Sequence, residues 1–267
     1  MGWRREIAGF VADLPGLRFT EVIAESLPGK GGPLPDGLAE LCDRGVAVVP
    51  HGVRLSLGGA DPVEPARVAH LADCAVLTGA PLVSEHIAFV RAGGTEAGHL
   101  LPVPRTWDAI EAIVDNVRRT QAELPVPLAL EPIAALFDWP DAELTEAEFL
   151  IEILDRTDAQ LLLDVANVYA NARNRGTDPV ALLDQLPLER VAYVHVAGGS
   201  ERDDGLYHDT HRHAVPVEVL ELVRELCMRR RPPALLLERD GAYPPAPELA
   251  AELDAIADAA GVERITA

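Results

Sequence analysis

Lysine is almost absent from this chain: Lys30 stands alone beside 22 arginines in 267 residues. Arginine-for-lysine bias of this kind reflects GC-rich coding rather than chemistry. Positive charge is scarce overall. The formal net charge is -20 and the sequence pI is about 4.7. Such a surface repels phosphate backbones, so broad nucleic-acid binding is disfavoured, although a small metal-lined pocket for an anion is not. Cysteine is limited to Cys42, Cys74 and Cys227. No CxxC pair exists, so neither a disulfide framework nor a thiolate metal site is expected, and three buried thiols in a reducing cytoplasm are. No apolar run approaches the ~18 residues of a membrane span, and the amino terminus carries no targeting segment, which predicts a cytoplasmic protein. Finally, no GxGxxG follows a strand and no GxxxxGK[ST] occurs, which removes support for the nucleotide-binding open sheets.

What is present is a regular alternation. Short runs that are apolar throughout occur at 17–25, 46–51, 81–86, 127–131, 160–164, 191–196 and 234–238. That pattern fits buried parallel strands. Helical patterns lie between them. The stretch 61–79 is predicted to begin on an Asp61 cap and to close on Gly79, and 105–124 has apolar residues at helical spacing. Thr145 followed by Glu148 is a capping box, and 216–230 and 246–261 follow the same logic. Seven strands are clear, and "MGWR" reads as the tail of an eighth. Strands alternating with helices over this length predict an α/β chain forming one (β/α)8 barrel of parallel strands across 1–267, with its metal site at the C-terminal mouth. Seven strands or fewer would also allow an open doubly wound sheet.

The strand ends carry the chemistry. In order, the runs deliver His51, His86, Glu131, Asp164, His195 and Glu238. One such residue at a strand end is ordinarily a helix cap or a solvated loop group. Six in succession converge on one mouth in a barrel, where their buried charges would need cations among them. Imidazole with carboxylate and no thiolate suits iron, zinc or manganese. The stretch "VAYVHVAGGSERDDGLYHDTHRHAVP" (191–216) holds four of the eight histidines. If it is extended, Asp209 and His211 point to one side and share a metal with Asn167, while His208 and His213 fall on the opposite parity.

The ordered set "GWRREIA", "HGVRLSLGG", "SEHIAF", "LEPIA", "LDVANVYANARNRG", "HVAGG", "DTHRH" and "LERDG" resembles the multinuclear non-heme iron-dependent oxidative enzymes, formerly domain of unknown function 692. These belong to the xylose isomerase-like barrel superfamily that also contains endonuclease four. The resemblance implies roles. His51, His86 and Glu131 would bind one iron. Glu131, Asp164, His195 and Glu238 would bind a second. Asn167, Asp209 and His211 would hold a third, more labile ion. It also implies two to three irons of mixed ferrous and ferric state, dioxygen as co-substrate, and a cysteine-containing ribosomally made precursor peptide. The resemblance also implies a separate leader-binding protein, and no winged-helix segment is visible in this sequence. Asn167 replaces the histidine of the endonuclease pattern. Ala166 and Arg175 depart from the family's "NN" and "NHG", which bears on substrate rather than on metal.

Arg54, Arg91, Arg173 and Arg239 follow strand ends and could hold the peptide; Arg54, Arg239 and Asn174 are the candidates for substrate contact. Three other functions compete. A trimetal phosphodiesterase is opposed by the net charge and by Asn167. A sugar isomerase or epimerase would need fewer ligands and typically a lysine, and Lys30 is not at a strand end. A passive metal store would not need so specific a donor set.

Overall fold

The computed structural model describes all 267 residues. Its strands are β1 (Phe19–Ile23), β2 (Ala47–Gly52), β3 (Val83–Ile87), β4 (Phe89–Ala92), β5 (Thr95–Leu101), β6 (Leu128–Pro132), β7 (Gln160–Asp164), β8 (Val191–Val196), β9 (Ser200–Glu201), β10 (Tyr207–His208) and β11 (Leu235–Leu237). The helices are α1 (Ala8–Ala12), α2 (Asp36–Asp43), α3 (Pro65–Thr78), α4 (Trp107–Glu123), α5 (Glu146–Thr157), α6 (Val165–Arg175), α7 (Pro179–Leu183), α8 (Val217–Arg229) and α9 (Ala246–Ala260). One seven-stranded sheet runs β1-β2-β3-β6-β7-β8-β11, and each of the seven predicted apolar runs supplies one of its strands. No helix is long and apolar enough to cross a membrane.

Two compact units divide the chain. One comprises Met1–Glu21, Pro35–Ala47 and Leu163–Ala267; the other comprises Val22–Leu34 and Val48–Leu162. In the second unit β3 and β6 pair in parallel from Val83 opposite Leu128 to Ile87 opposite Pro132, and every residue of β3 is buried. Helix α5 packs against α4 in the same unit. Thr145 and Glu148 close the expected capping box, and Ile153 and Leu154 on the same helix are fully buried. Truncating either to Ala would cost about 2–5 kcal/mol. Helix α3 starts later than its sequence suggests. Pro65 occupies the first turn, where a missing N–H costs nothing. Asp61 instead belongs to a loop pinned by the buried Asn116, whose amide donates to the carbonyls of Leu57, Gly59 and Asp61 and accepts from Val63 N. The hairpin β4–β5 was not anticipated. Its signal is Gly93–Gly94, both at positive φ (56° and 80°), the two-residue turn that suits strand twist.

In the first unit β8 and β11 pair with His195 level with Leu236. The "MGWR" remnant proves to be a seam. Gly2 bridges β1 at Glu21, Gly2 N donates to Leu237 O at 2.9 Å, and Trp3 N donates to Glu21 O at 2.6 Å. Two residues thus perform the pairing of an eighth strand between β11 and β1.

Candidate metal centre

The second unit builds a cluster from strand register alone. His51 lies level with Ser84 across β2–β3, Ser84 and His86 are two residues apart on one face, and His86 lies level with Glu131 across β3–β6. All three ligand candidates therefore emerge on the same side, and all are buried. His51 Nε2 is 3.6 Å and His86 Nε2 3.3 Å from Glu131 Oε2, with the two rings edge-to-face at 4.5 Å. Each ring commits its other nitrogen to the protein: His51 Nδ1 to Ser84 Oγ at 2.8 Å, His86 Nδ1 to Gly52 O at 3.2 Å. That division is how ligating histidines are oriented. Glu85 accepts from His86 N and Leu55 N, and a Cβ at Gly52 would sit 2.7 Å from its Oε2, so any larger residue there would push this carboxylate.

The first unit builds a second cluster. His195 is fully buried, with Nδ1 2.8 Å from Glu238 Oε2 and Nε2 2.7 Å from Glu21 Oε2. His211 Nδ1 lies 3.2 Å from the same Glu238 oxygen. Its Nε2 faces Asp209 Oδ2 at 2.5 Å and Asp164 Oδ2 at 3.7 Å. Asp164 divides its labour: Oδ1 caps α6 by accepting from Ala166 N and Asn167 N, while Oδ2 turns to His211. Asn167 is buried on the first turn of α6, directly after that cap.

The loop reaches this arrangement by a different route from the extended one expected. His211 adopts a left-handed backbone (φ 52°), so its pairing with Asp209 comes from a turn, not from strand alternation. His211 O accepts from Asp240 N at 2.7 Å and holds the turn. Below it, Gly198 and Gly199 give the loop room: a Cβ on Gly198 would meet Ala214 O at 2.2 Å, and one on Gly199 would meet His208 O at 2.3 Å. His208 turns outward to Asp204 and His213 pairs with Thr210.

These residues fit a cation. Asp209 Oδ1 is buried without a hydrogen-bond partner. Three donor atoms lie within 4.8 Å of one another in His51/His86/Glu131 and again in Asp164/His211/Glu238. Burial opposes charge on both His211 and Glu238, yet Asp209 and Glu238 hold His211 well above the usual imidazole range, and His195 and His211 hold Glu238 well below the usual carboxylate range.

With this geometry in hand, the comparisons are specific. Residues 1–261 match the model of a family described as "RiPP precursor modification enzyme MbnB/TglH/ChrH". The chain belongs to this family. Among relatives of this RiPP-modifying family member, a Streptomyces avermitilis protein named only "UPF0276 protein" is 54% identical over 264 residues, 96% of this chain. The chain spans about half (53%) of that relative's length. A xylose isomerase domain protein from Planctomyces limnophilus shares the fold at TM-score 0.59 and 16% identity, covering 94% of this chain and 91% of that one. Endonuclease IV from Thermus thermophilus does so at TM-score 0.62 and 21% identity, covering 97% and 96%. The fold is therefore the α/β barrel of the xylose isomerase-like proteins.

The three residues expected to contact substrate lie in different settings. Arg239 is buried, with Nη2 paired with Glu252 on α9 at 2.5 Å and Nε and Nη1 without a hydrogen-bond partner. Asn174 spends both ends of its amide on the backbone of Tyr207, clamping the β9–β10 loop. Only Arg54 is exposed. Arg91 and Arg173 form ion pairs with Glu64 and Glu201. Two residues of this site were not foreseen. Glu21 sits mid-strand within an apolar run. Arg4 donates to Glu238 Oε1 at 3.1 Å and to Asp240 at 2.8 Å, leaving Glu238 Oε2 to face the histidines. Its motif "GWRREIA" was visible, but its partner is 234 residues away. Cys74 is not a ligand candidate: burial pushes its thiol up to about 11, and it rests against His70 and Ala24 O.

Proposed function

We propose that this chain oxidatively modifies cysteine residues of a ribosomally synthesised precursor peptide, using dioxygen at a centre of two to three irons. One observation carries the reading: in a chain of a RiPP-modifying family, register alone brings two imidazoles and a carboxylate, all buried, onto one face. That donor set, with no thiolate from the protein, suits ferrous iron and leaves the soft-ligand position to the substrate's own cysteine. His51, His86 and Glu131 would hold one ion, Glu131, Asp164, His195 and Glu238 a second, and Asn167, Asp209 and His211 a third. When bound, iron supplies the redox chemistry toward dioxygen. The protein's residues orient it: Ser84 and Gly52 fix the two rings, and Arg4 aims Glu238. Residues that held a substrate thiolate near such a centre would convert an encounter into a positioned reaction. Arg54, exposed after β2, is the candidate for holding the peptide, and a separate protein would bind its leader. The acidic surface argues against the endonuclease-like alternative.

The test is anaerobic reconstitution with ferrous iron, followed by air and a cysteine-containing peptide encoded beside this gene. Expected are two to three irons per chain, oxygen uptake and a mass change on the peptide's cysteine. Full activity with stoichiometric zinc and no iron would refute it.

A further inference from the structure

Glu21 is buried in β1 and has no place in the ligand set above. Its Oε2 accepts two hydrogen bonds, from Tyr193 Oη at 2.6 Å and from His195 Nε2 at 2.7 Å. Tyr193 and His195 are two residues apart on β8, so both reach β1 from one face. On the other side of the ring, His195 Nδ1 lies 2.8 Å from Glu238 Oε2. We infer that Glu21 is a positioning residue: it holds the Nε2–H of His195, so that Nδ1 is the nitrogen presented to a metal together with Glu238. This rests on the reading of His195 and Glu238 as ligands.

The argument is one of valence. A neutral imidazole has one N–H and one lone pair, and the acceptor that takes the N–H decides which nitrogen is left to bind. A carboxylate acceptor also makes the ring a stronger donor. Glu21 could in principle be a ligand itself, since Glu21, His195 and Glu238 offer atoms within 4.8 Å of one another. Its Oε2, however, already receives both donors of β8. The strand is also held from behind: Trp3 N donates to Glu21 O, and Thr20 Oγ1 donates to Met1 O. A fixed backbone and a carboxylate oxygen held by a tyrosine describe a support, not a group that must swing to meet an ion. Tyr193 further packs edge-on against Phe19, with ring centroids 5.9 Å apart.

The full-length chain with ¹⁵N-labelled histidine, loaded with zinc as a diamagnetic probe, tests this. In the wild type, His195 should show a metal-bound Nδ1 and a low-field, slowly exchanging Nε2–H. Glu21→Gln should retain the stoichiometry but weaken the ion that His195→Ala removes by about 10–100-fold, with the ring proton moved upfield. Tyr193→Phe, which leaves Glu21 in place, should shift that proton and weaken the same ion by less. If Glu21→Gln does not fold, the Tyr193→Phe shift decides, and its absence overturns the assignment. An unchanged affinity in Glu21→Gln overturns it, as does zinc on Nε2. Loss of a whole equivalent in Glu21→Gln would make Glu21 a ligand and overturn it too. A wild type that takes up no zinc overturns the metal reading itself, whereas His195→Ala losing an ion that Glu21→Gln holds normally overturns only the role of Glu21.

Discussion

Replacing Gly199 by Ala perturbs the metal loop without touching a ligand. The added Cβ would lie 2.3 Å from His208 O and 2.6 Å from the Tyr207 ring. Carbon and carbonyl oxygen rarely approach below about 3.3 Å, so something must retreat by about 1 Å. Tyr207 cannot yield easily. Its backbone is clamped at both polar groups by Asn174, and its hydroxyl accepts from Gly199 N at 2.9 Å. The movement therefore falls on the chain after His208, which carries Asp209 and His211. Ligand sets tolerate displacements of about 0.5 Å. A shift twice that size should weaken the ion held by these residues roughly 100-fold, or about 2.7 kcal/mol. Competitive zinc titration against a chromophoric chelator measures it, with metal content per chain after dialysis as the second readout. Gly29→Ala is the control, because a Cβ there meets nothing within 4 Å. The ion at His51, His86 and Glu131 should be unaffected in both variants. If Gly199→Ala folds and binds all its zinc within twofold of the wild type, the loop is not held by this close approach and the reasoning fails.

Three other outcomes are expected. Dialysis against a mild chelator should strip the ion of Asn167, Asp209 and His211 first, since a neutral amide is a poor donor and two of the three ligands ride on a loop that must order to bind; Asn167→His should retain it longer, and simultaneous loss of all ions would contradict both. In the metal-free protein, His211 is held above its unfolded value and Glu238 below its own. The His211 contribution is thus complete below about pH 6.5 and declines as pH rises above it, and the Glu238 contribution is complete above about pH 4.5 and declines below it. Melting temperature should fall on both sides of that window, and His211→Gln should flatten the alkaline side. Thr145→Ala removes the capping box of α5 and should cost about 1 kcal/mol in urea denaturation with metal content unchanged.

The sequence revealed the strands because each is a short buried run, and a polar residue ending such a run stands out. Hence His51, His86, Glu131 and Asp164 could be read as one series. Glu21 escaped because it sits inside its run, between Thr20 and Val22, where hydrophobic patterning hides a single inward carboxylate. Arg4 escaped for another reason: an ion pair has no local signature when its partner is 234 residues away. The partners of Arg239 and Asn174, Glu252 and the Tyr207 backbone, were not legible because sequence gives neighbours along the chain and not across it. The turn at His211 was misjudged on conformation, since alternation assumes extended backbone and one left-handed residue breaks it.

The seam at Gly2 and Trp3 bears on when the centre can exist during synthesis. Arg4 is made 234 residues before Glu238, and the backbone of Glu21 is held by residues made before it. At about 5–20 residues per second, the interval between Arg4 and Glu238 lasts roughly 10–50 s. For that time the first twenty residues have only Pro35–Ala47 as partners in their own unit, through contacts such as Ala47 N donating to Arg18 O; the rest of that unit begins at Leu163. Acquisition of metal at Glu238 therefore waits on synthesis of β11, and a truncated product ending before β11 would carry His195 with Glu21 on its Nε2 and no carboxylate on its Nδ1.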